Sequence, residues 1–208
     1  MTDGFPPRVV VGISGASGIA YGIRALELLR QVGAETHLVL TRAARATLAE
    51  ETGMRAAGVR ALADHAHGEH DLGAAIASGS FPTDGMIVAP CSVKTLSAIA
   101  TSFDDNLLVR AADVTLKERR PLVLLVRETP LHAGHLRLMA QATEAGATIM
   151  PPVPAFYTHP ASVDELVTQT VGRVLDQLRI PHPSTARWTP ESRAPRRPGG
   201  RPRRPDPR

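Results

Sequence analysis

Three short segments carry the residue types that could do chemistry. The first is GISGASG, Gly12 to Gly18. Glycines at a spacing of three let a backbone turn tightly and approach a ligand closely, while Ser14 and Ser17 add hydroxyls at a helix start, where anions bind. This predicts a phosphate site. The pattern is GxxGxxG and not GxGxxG, and the second strand ends in Thr41 and Arg42, where a dinucleotide reader places an acid for the ribose. NAD is therefore disfavoured, and with no GKS or GKT so is a Walker-type site. The second segment is APCSVKT, Ala89 to Thr95, whose Ser92 and Thr95 can hydrogen-bond a ligand at another strand-to-helix turn. The third is RETP, Arg127 to Pro130, a cation beside a carboxylate at a strand terminus. It suits anion binding with proton transfer, or else a structural ion pair. Cys91, the only cysteine, reads as a packed thiol, since no His stands near it in sequence.

Two histidine groups invite a metal reading and are set aside on spacing. Asp64, His65, His67, Glu69, His70 and Asp71 crowd one polar connection without a regular register, which predicts a solvated loop. His132 and His135 share a helix face, but two ligands do not make a site, so a capping or surface role is expected. No metal is expected.

The elements that must position these segments alternate between short apolar runs and stretches of helical period. Strands are predicted at Arg8 to Ile13, Thr36 to Leu40, Gly85 to Ala89, Leu122 to Val126 and Ala147 to Met150. Helices are predicted at Ile19 to Val32, Ala43 to Glu51, Val93 to Thr101, Asn106 to Arg119, His135 to Ala145 and Val163 to Leu178, the last with Ser162 as its N-cap. Such βαβ alternation predicts an α/β fold, a three-layer αβα sandwich around a parallel Rossmann- or flavodoxin-like sheet. Ligands of such sheets sit beyond the carboxyl ends of the strands, where all three segments fall.

Composition narrows the class. At 208 residues one well-cored domain is expected, spanning 1–188. With four Phe, two Tyr and one Trp the core must be aliphatic, and a flat ligand would be held by amides and aliphatic side chains. The net charge of +4 resides in the Pro/Arg-rich segment from Thr189 to Arg208, which carries +5 and leaves the rest at −1. That tail is expected to be disordered, and no nucleic-acid binding is expected of the near-neutral body. A lone cysteine, a polar Pro-rich opening and no apolar run near 20 residues predict a cytoplasmic protein with no membrane partner.

GISGASG, APCSVKTLSAIA, RAADVTLKERRPLVLLVRETPLHAGHLRLM and IMPPVPAFY stand here in an order that closely resembles the UbiX/Pad-type flavin prenyltransferases, over about Val9 to Trp188. The resemblance implies a metal-independent enzyme that joins a dimethylallyl group from dimethylallyl phosphate to N5 and C6 of reduced FMN, making the prenylated flavin used by UbiD-type decarboxylases. It implies FMN contacts from Ala16, Ser17, Gly18, Thr41, Ser92, Val93, Lys94, Thr95 and Arg127, with Thr41 departing from the serine usual in relatives. Lys117, Arg127, Tyr157 and Arg173 would hold the allylic phosphate, joined by Arg110 across a subunit interface. Ser17, Glu51 and Glu128 match the family's catalytic hydroxyl and carboxylates. The likeness also implies a homo-oligomer, a dodecamer, for which the Ala-rich face of Asn106 to Leu116 would suit subunit packing. FMN-dependent cysteine decarboxylases are the nearest rival, but their third loop reads closer to PASANT and they lack the phosphate set.

Overall fold

The computed structural model describes residues 6–187. The predicted tail, Thr189 to Arg208, lies outside the described residues. Strands β1 (Arg8–Ile13), β2 (Glu35–Leu40), β3 (His65–His67), β4 (Gly85–Cys91), β5 (Leu122–Val126) and β6 (Thr148–Ile149) form one sheet in the order β3-β2-β1-β4-β5-β6. Every pairing is parallel, which is the doubly wound Rossmann arrangement. Helices α1 (Ile19–Gln31), α2 (Arg42–Glu51), α3 (Ala56–Arg60), α4 (Val93–Ala100), α5 (Leu107–Lys117), α6 (Ala133–Glu144) and α7 (Val163–Gln177) cover it. Among the described residues no helix is long and apolar enough to cross a membrane.

Strand residues alternate between two cores because successive side chains point to opposite faces. Val9, Val11 and Ile13 of β1 and Ile87 and Ala89 of β4 pack with α1, α2 and α7. Val10, Met86, Val88 and Cys91 pack on the other side with α4, α5 and Ala142 of α6. A sheet buried on both faces explains why β1, β4 and β5 read as unbroken apolar runs. Gly22 shows how tightly α1 is pressed on the sheet: a Cβ there would stand 2.3 Å from the Ala89 carbonyl oxygen.

Two expectations are corrected. The polar stretch from Asp64 to Asp71 is not simply a solvated loop, because His65–His67 pairs with β2 as an edge strand, His37 opposite His65 and Val39 opposite His67. The Ala-rich face of α5 is not free for subunit packing, because Leu107, Leu108, Val109, Ala111, Ala112 and Val114 are buried in the chain's own core. Large exposed apolar side chains stand elsewhere, at Leu131 and Leu136 around the start of α6 and at Val153 and Phe156 after β6.

At the amino end of the sheet, Arg8 donates to Glu35 at 2.8 Å. That hydrogen bond, reinforced by one with His37, holds the Glu35 carboxyl down at about 2 although its partial burial acts the other way. The groups facing it are Arg8, His37 and His65, with Asp84 on the far side of Arg8. A carboxyl with a depressed folded pKa stabilises above its unfolded value and loses that contribution as pH falls through the folded one. Stability is therefore expected to drop between about pH 4.5 and about 2, with part of the drop absent in Glu35→Gln. Acid unfolding followed by far-UV circular dichroism checks this. An unchanged slope in the variant would remove Glu35 from the account.

Candidate active site

Because β1, β2, β4 and β5 are parallel, the segments that follow them emerge at one edge. Two loops are stitched together there. The Ser14 hydroxyl donates to the Pro90 carbonyl at 2.9 Å and accepts from the Ser92 amide at 2.8 Å, while the Ser14 amide also donates to Pro90. Ser14 is buried, so its hydroxyl is a fixed cross-link between loops and not the ligand donor that the Ser/Gly pattern suggests.

The first loop holds an anion already, and that anion is Glu51. Gly18, with φ at 99° in the left-handed region, begins α1 with no side-chain cap of its own. The Glu51 carboxylate, from the last turn of α2, accepts from the Gly18 amide at 2.9 Å and the Ile19 amide at 3.0 Å. Burial pushes the Glu51 carboxyl up, but the hydrogen bonds from Ser17, Gly18 and Ile19 and the charge of Arg127 together hold it below the usual carboxylate range. Glu51 is thus an ionised group lodged in the site. The positive end of α1 and a guanidinium fix it there.

The second loop presents the start of α4. Ser92 caps α4, its hydroxyl accepting from the Thr95 amide at 3.2 Å and donating to Thr95 Oγ1 at 3.1 Å. The amides of Val93 and Lys94, in the first turn, are left pointing out of the helix. Lys94 itself pairs with Asp105 at 2.6 Å, so its ammonium is turned to that carboxylate. Thr41 is buried and caps α2 by accepting from the Ala44 amide at 3.1 Å. Arg127 is anchored by its amide on the Cys91 carbonyl at 3.0 Å, and its side chain reaches toward Glu51 and Tyr21 across the edge. Glu128 is exposed and turned back on its own chain, accepting from the Thr129 amide at 2.9 Å. Cys91 is wholly buried, which pushes its thiol far above its ordinary pKa and fits a packed residue.

Ala16, Ser17, Gly18, Thr41, Glu51, Ser92 to Thr95, Arg127 and Glu128 therefore meet at one edge. Tyr157, about half exposed, lies in a short 3-10 turn on the connection leaving the carboxyl end of β6. Three predicted cations are elsewhere in the chain. Arg110 is held by Asp104 at 3.1 Å, Asp113 at 3.4 Å and the Ala77 carbonyl at 3.2 Å. Lys117 ends α5 beside Glu118, in a concavity with Arg119, Arg120 and Glu144. Arg173, exposed in the middle of α7, pairs with Asp176 at 2.5 Å.

Tyr21 was missed by sequence reasoning. It sits in the first turn of α1, half-buried against Gly18, within electrostatic reach of Arg127. The signal was its position three residues after the N-cap glycine, which places a side chain back over the loop. His132, by contrast, caps α6 as expected, its Nδ1 accepting from the Gly134 amide at 3.0 Å.

A helix start with outward amides, an arginine and a carboxylate held by the start of α1 stand around the carboxyl edge of a doubly wound sheet, an arrangement of the flavoprotein class. The family model described as Flavoprotein matches residues 3–175. The flavin prenyltransferase UbiX of Salmonella typhimurium is 61% identical over 184 residues, covering 87% of this chain and 97% of its own. Among solved structures, AnUbiX (PadA1) in complex with FMN and dimethylallyl pyrophosphate matches at TM-score 0.88 and 50% identity, over 89% of this chain and 98% of the other. A dodecameric FMN-dependent UbiX-like decarboxylase from Escherichia coli O157:H7 matches at TM-score 0.85 and 48% identity, over 88% and 99%. The chain belongs to the flavoproteins and, within them, to the UbiX-type flavin prenyltransferases; it is a prenyltransferase enzyme.

Proposed function

We propose that the protein transfers a dimethylallyl group from dimethylallyl phosphate to N5 and C6 of reduced FMN, without a metal. We further propose that it works in the cytoplasm as a homo-oligomer, a dodecamer, and that prenylated FMN passes to a UbiD-type decarboxylase. Domain 1–188 carries the activity. The observation that supports this reading best is the convergence of Arg127 with Glu51, Ser17 and the start of α4 at one sheet edge, in a chain 61% identical to a flavin prenyltransferase.

The residues present suit FMN. The outward amides of Val93 and Lys94 fit a phosphate, and Ala16, Ser17, Gly18 and Thr41 line the edge between the first and second loops with small side chains that a flat ring system can approach. FMN supplies the nucleophilic atoms and dimethylallyl phosphate the electrophilic carbon. Charge develops on the departing phosphate oxygens, and Arg127, whose backbone is anchored at the strand end, meets it with its guanidinium. Tyr157 donates its phenol to the same oxygens, and Lys117 and Arg173, with Arg110, complete the cation set from neighbouring protomers. Glu51 stays ionised and orients the Ser17 hydroxyl. Glu128 holds the proton that must leave and return as the second bond forms. Both substrates held in one cleft shed the entropic part of the barrier.

Anaerobic incubation with reduced FMN and dimethylallyl phosphate, then mass spectrometry of the extracted flavin, tests the reading. One added C5 unit is expected, with chelator present throughout. A flavin of unchanged mass would end it.

A further inference from the structure

At the opposite end of the sheet, β2 and β3 place Glu35, His37, His65 and His67 on one face. Residues two apart on a strand share a face, and parallel pairing sets His37 beside His65, so Glu-Thr-His and His-Ala-His form a block of four potential ligands. We infer that Glu35, His37 and His65 form a binding site for a divalent cation of the zinc class, separate from the prenyl-transfer site.

One carboxylate oxygen is the hub. Glu35 Oε1 lies 3.0 Å from His37 Nε2 and 3.5 Å from His65 Nε2, and the three ligand atoms all fall within 4.8 Å of one another. Ligands around a tetrahedral zinc at about 2.0–2.1 Å stand roughly 3.3 Å apart, so little movement admits an ion. The surroundings already do what outer partners of a metal site do. Glu35 Oε2 is occupied by Arg8 at 2.8 Å, which leaves Oε1 for the ion. His37 Nδ1 lies 3.0 Å from His67 Nε2, so His67 can fix the His37 ring with Nε2 presented as a lone pair. His65 and His67 stack on either neighbour of that ring, with centroids 4.6 and 5.3 Å from it, and Phe81 closes its edge at 5.2 Å. The His37 side chain is 5% exposed and that of His65 is 53%, so the site has a buried anchor and a solvent-facing ligand through which an ion enters. Imidazole nitrogens with a single carboxylate favour zinc-class ions over magnesium or calcium, which prefer oxygen.

The position separates this site from the catalytic edge. His37 is four residues before Thr41, about 13 Å along an extended strand. A cation here would clamp the three-residue edge strand β3 to β2, and it takes no part in the proposed transfer chemistry.

The test uses the full chain stripped with chelator and dialysed. Zn²⁺ is titrated by calorimetry, and Co²⁺ by its visible ligand-field absorption. One saturable site per chain with a micromolar or tighter Kd is expected, together with a rise in Tm on adding Zn²⁺. His65→Ala, at an exposed position, and Glu35→Gln should each weaken binding at least ten-fold, whereas His132→Ala, at the other histidine pair, should leave it unchanged. No saturation up to millimolar Zn²⁺, wild-type affinity in His65→Ala, or loss of binding in His132→Ala would each overturn the inference and leave a carboxylate–imidazole hydrogen-bond cluster. Prenyl transfer should proceed equally in chelator and in Zn²⁺, so failure here is distinct from failure of the proposed activity.

Discussion

Glu128→Gln is expected to lower kcat for prenyl transfer by about a hundred-fold or more while FMN affinity changes less than about three-fold. The substitution keeps the shape of the side chain and its acceptor for the Thr129 amide, so the turn that follows β5 is preserved. What it removes is the ability to take and return a proton. Arg127, one residue earlier, keeps its anchor on Cys91 and its place opposite Glu51, so binding of the phosphate substrate should survive. The measurement is turnover kinetics with reduced FMN beside an FMN-binding titration. If kcat is unchanged, Glu128 is not the proton carrier and the role passes to Ser17 or Glu51.

How much of this was legible in the sequence depended on what kind of neighbour decides each residue. β1 and β5 could be read to the residue, because a strand buried on both faces needs only its own apolar side chains to declare it. α7 was legible from Ser162, whose hydroxyl caps the Glu165 amide, whereas Ser92, read as a ligand partner, uses its hydroxyl to cap α4 at the Thr95 amide. β3 was not, because His-Ala-His has no apolar run, and its pairing rests on His37, nearly thirty residues earlier. The same blindness hid the Glu35 cluster, since one of its three ligands lies on a different strand. In the candidate active site the loops were visible but the division of labour within them was not. Ser14 and Ser17 are the same residue type three positions apart, yet one is buried as a cross-link and the other serves Glu51. Nothing local distinguishes them. The distinction comes from Pro90 and from α2, both brought in by the fold.

The cations pose the opposite problem, since the resemblance names residues that a single chain does not gather. α5 runs back along the sheet, and from Leu107 to Lys117 it covers about 15 Å at 1.5 Å per residue. Lys117 ends beside Pro121, whose carbonyl accepts the Met86 amide near the amino end of β4, whereas Arg127 follows the carboxyl end of β5. The two charges are at opposite edges of one sheet, so Lys117 can serve a site only in a neighbouring protomer. Lys117→Ala should therefore raise KM for dimethylallyl phosphate by about ten- to a hundred-fold, the worth of one hydrogen bond to a charged group, with a smaller change in kcat and none in FMN binding. Refolding the variant together with Glu128→Gln makes the sharper test. With dimethylallyl phosphate held well below the raised KM each parent is crippled at every site, but a mixed assembly contains sites that take Glu128 from one chain and Lys117 from the other. At equal proportions about one site in four has both intact, so activity near a quarter of wild type should return. Mixed assemblies as inactive as their parents would show that Lys117 does not serve the site of a neighbouring protomer.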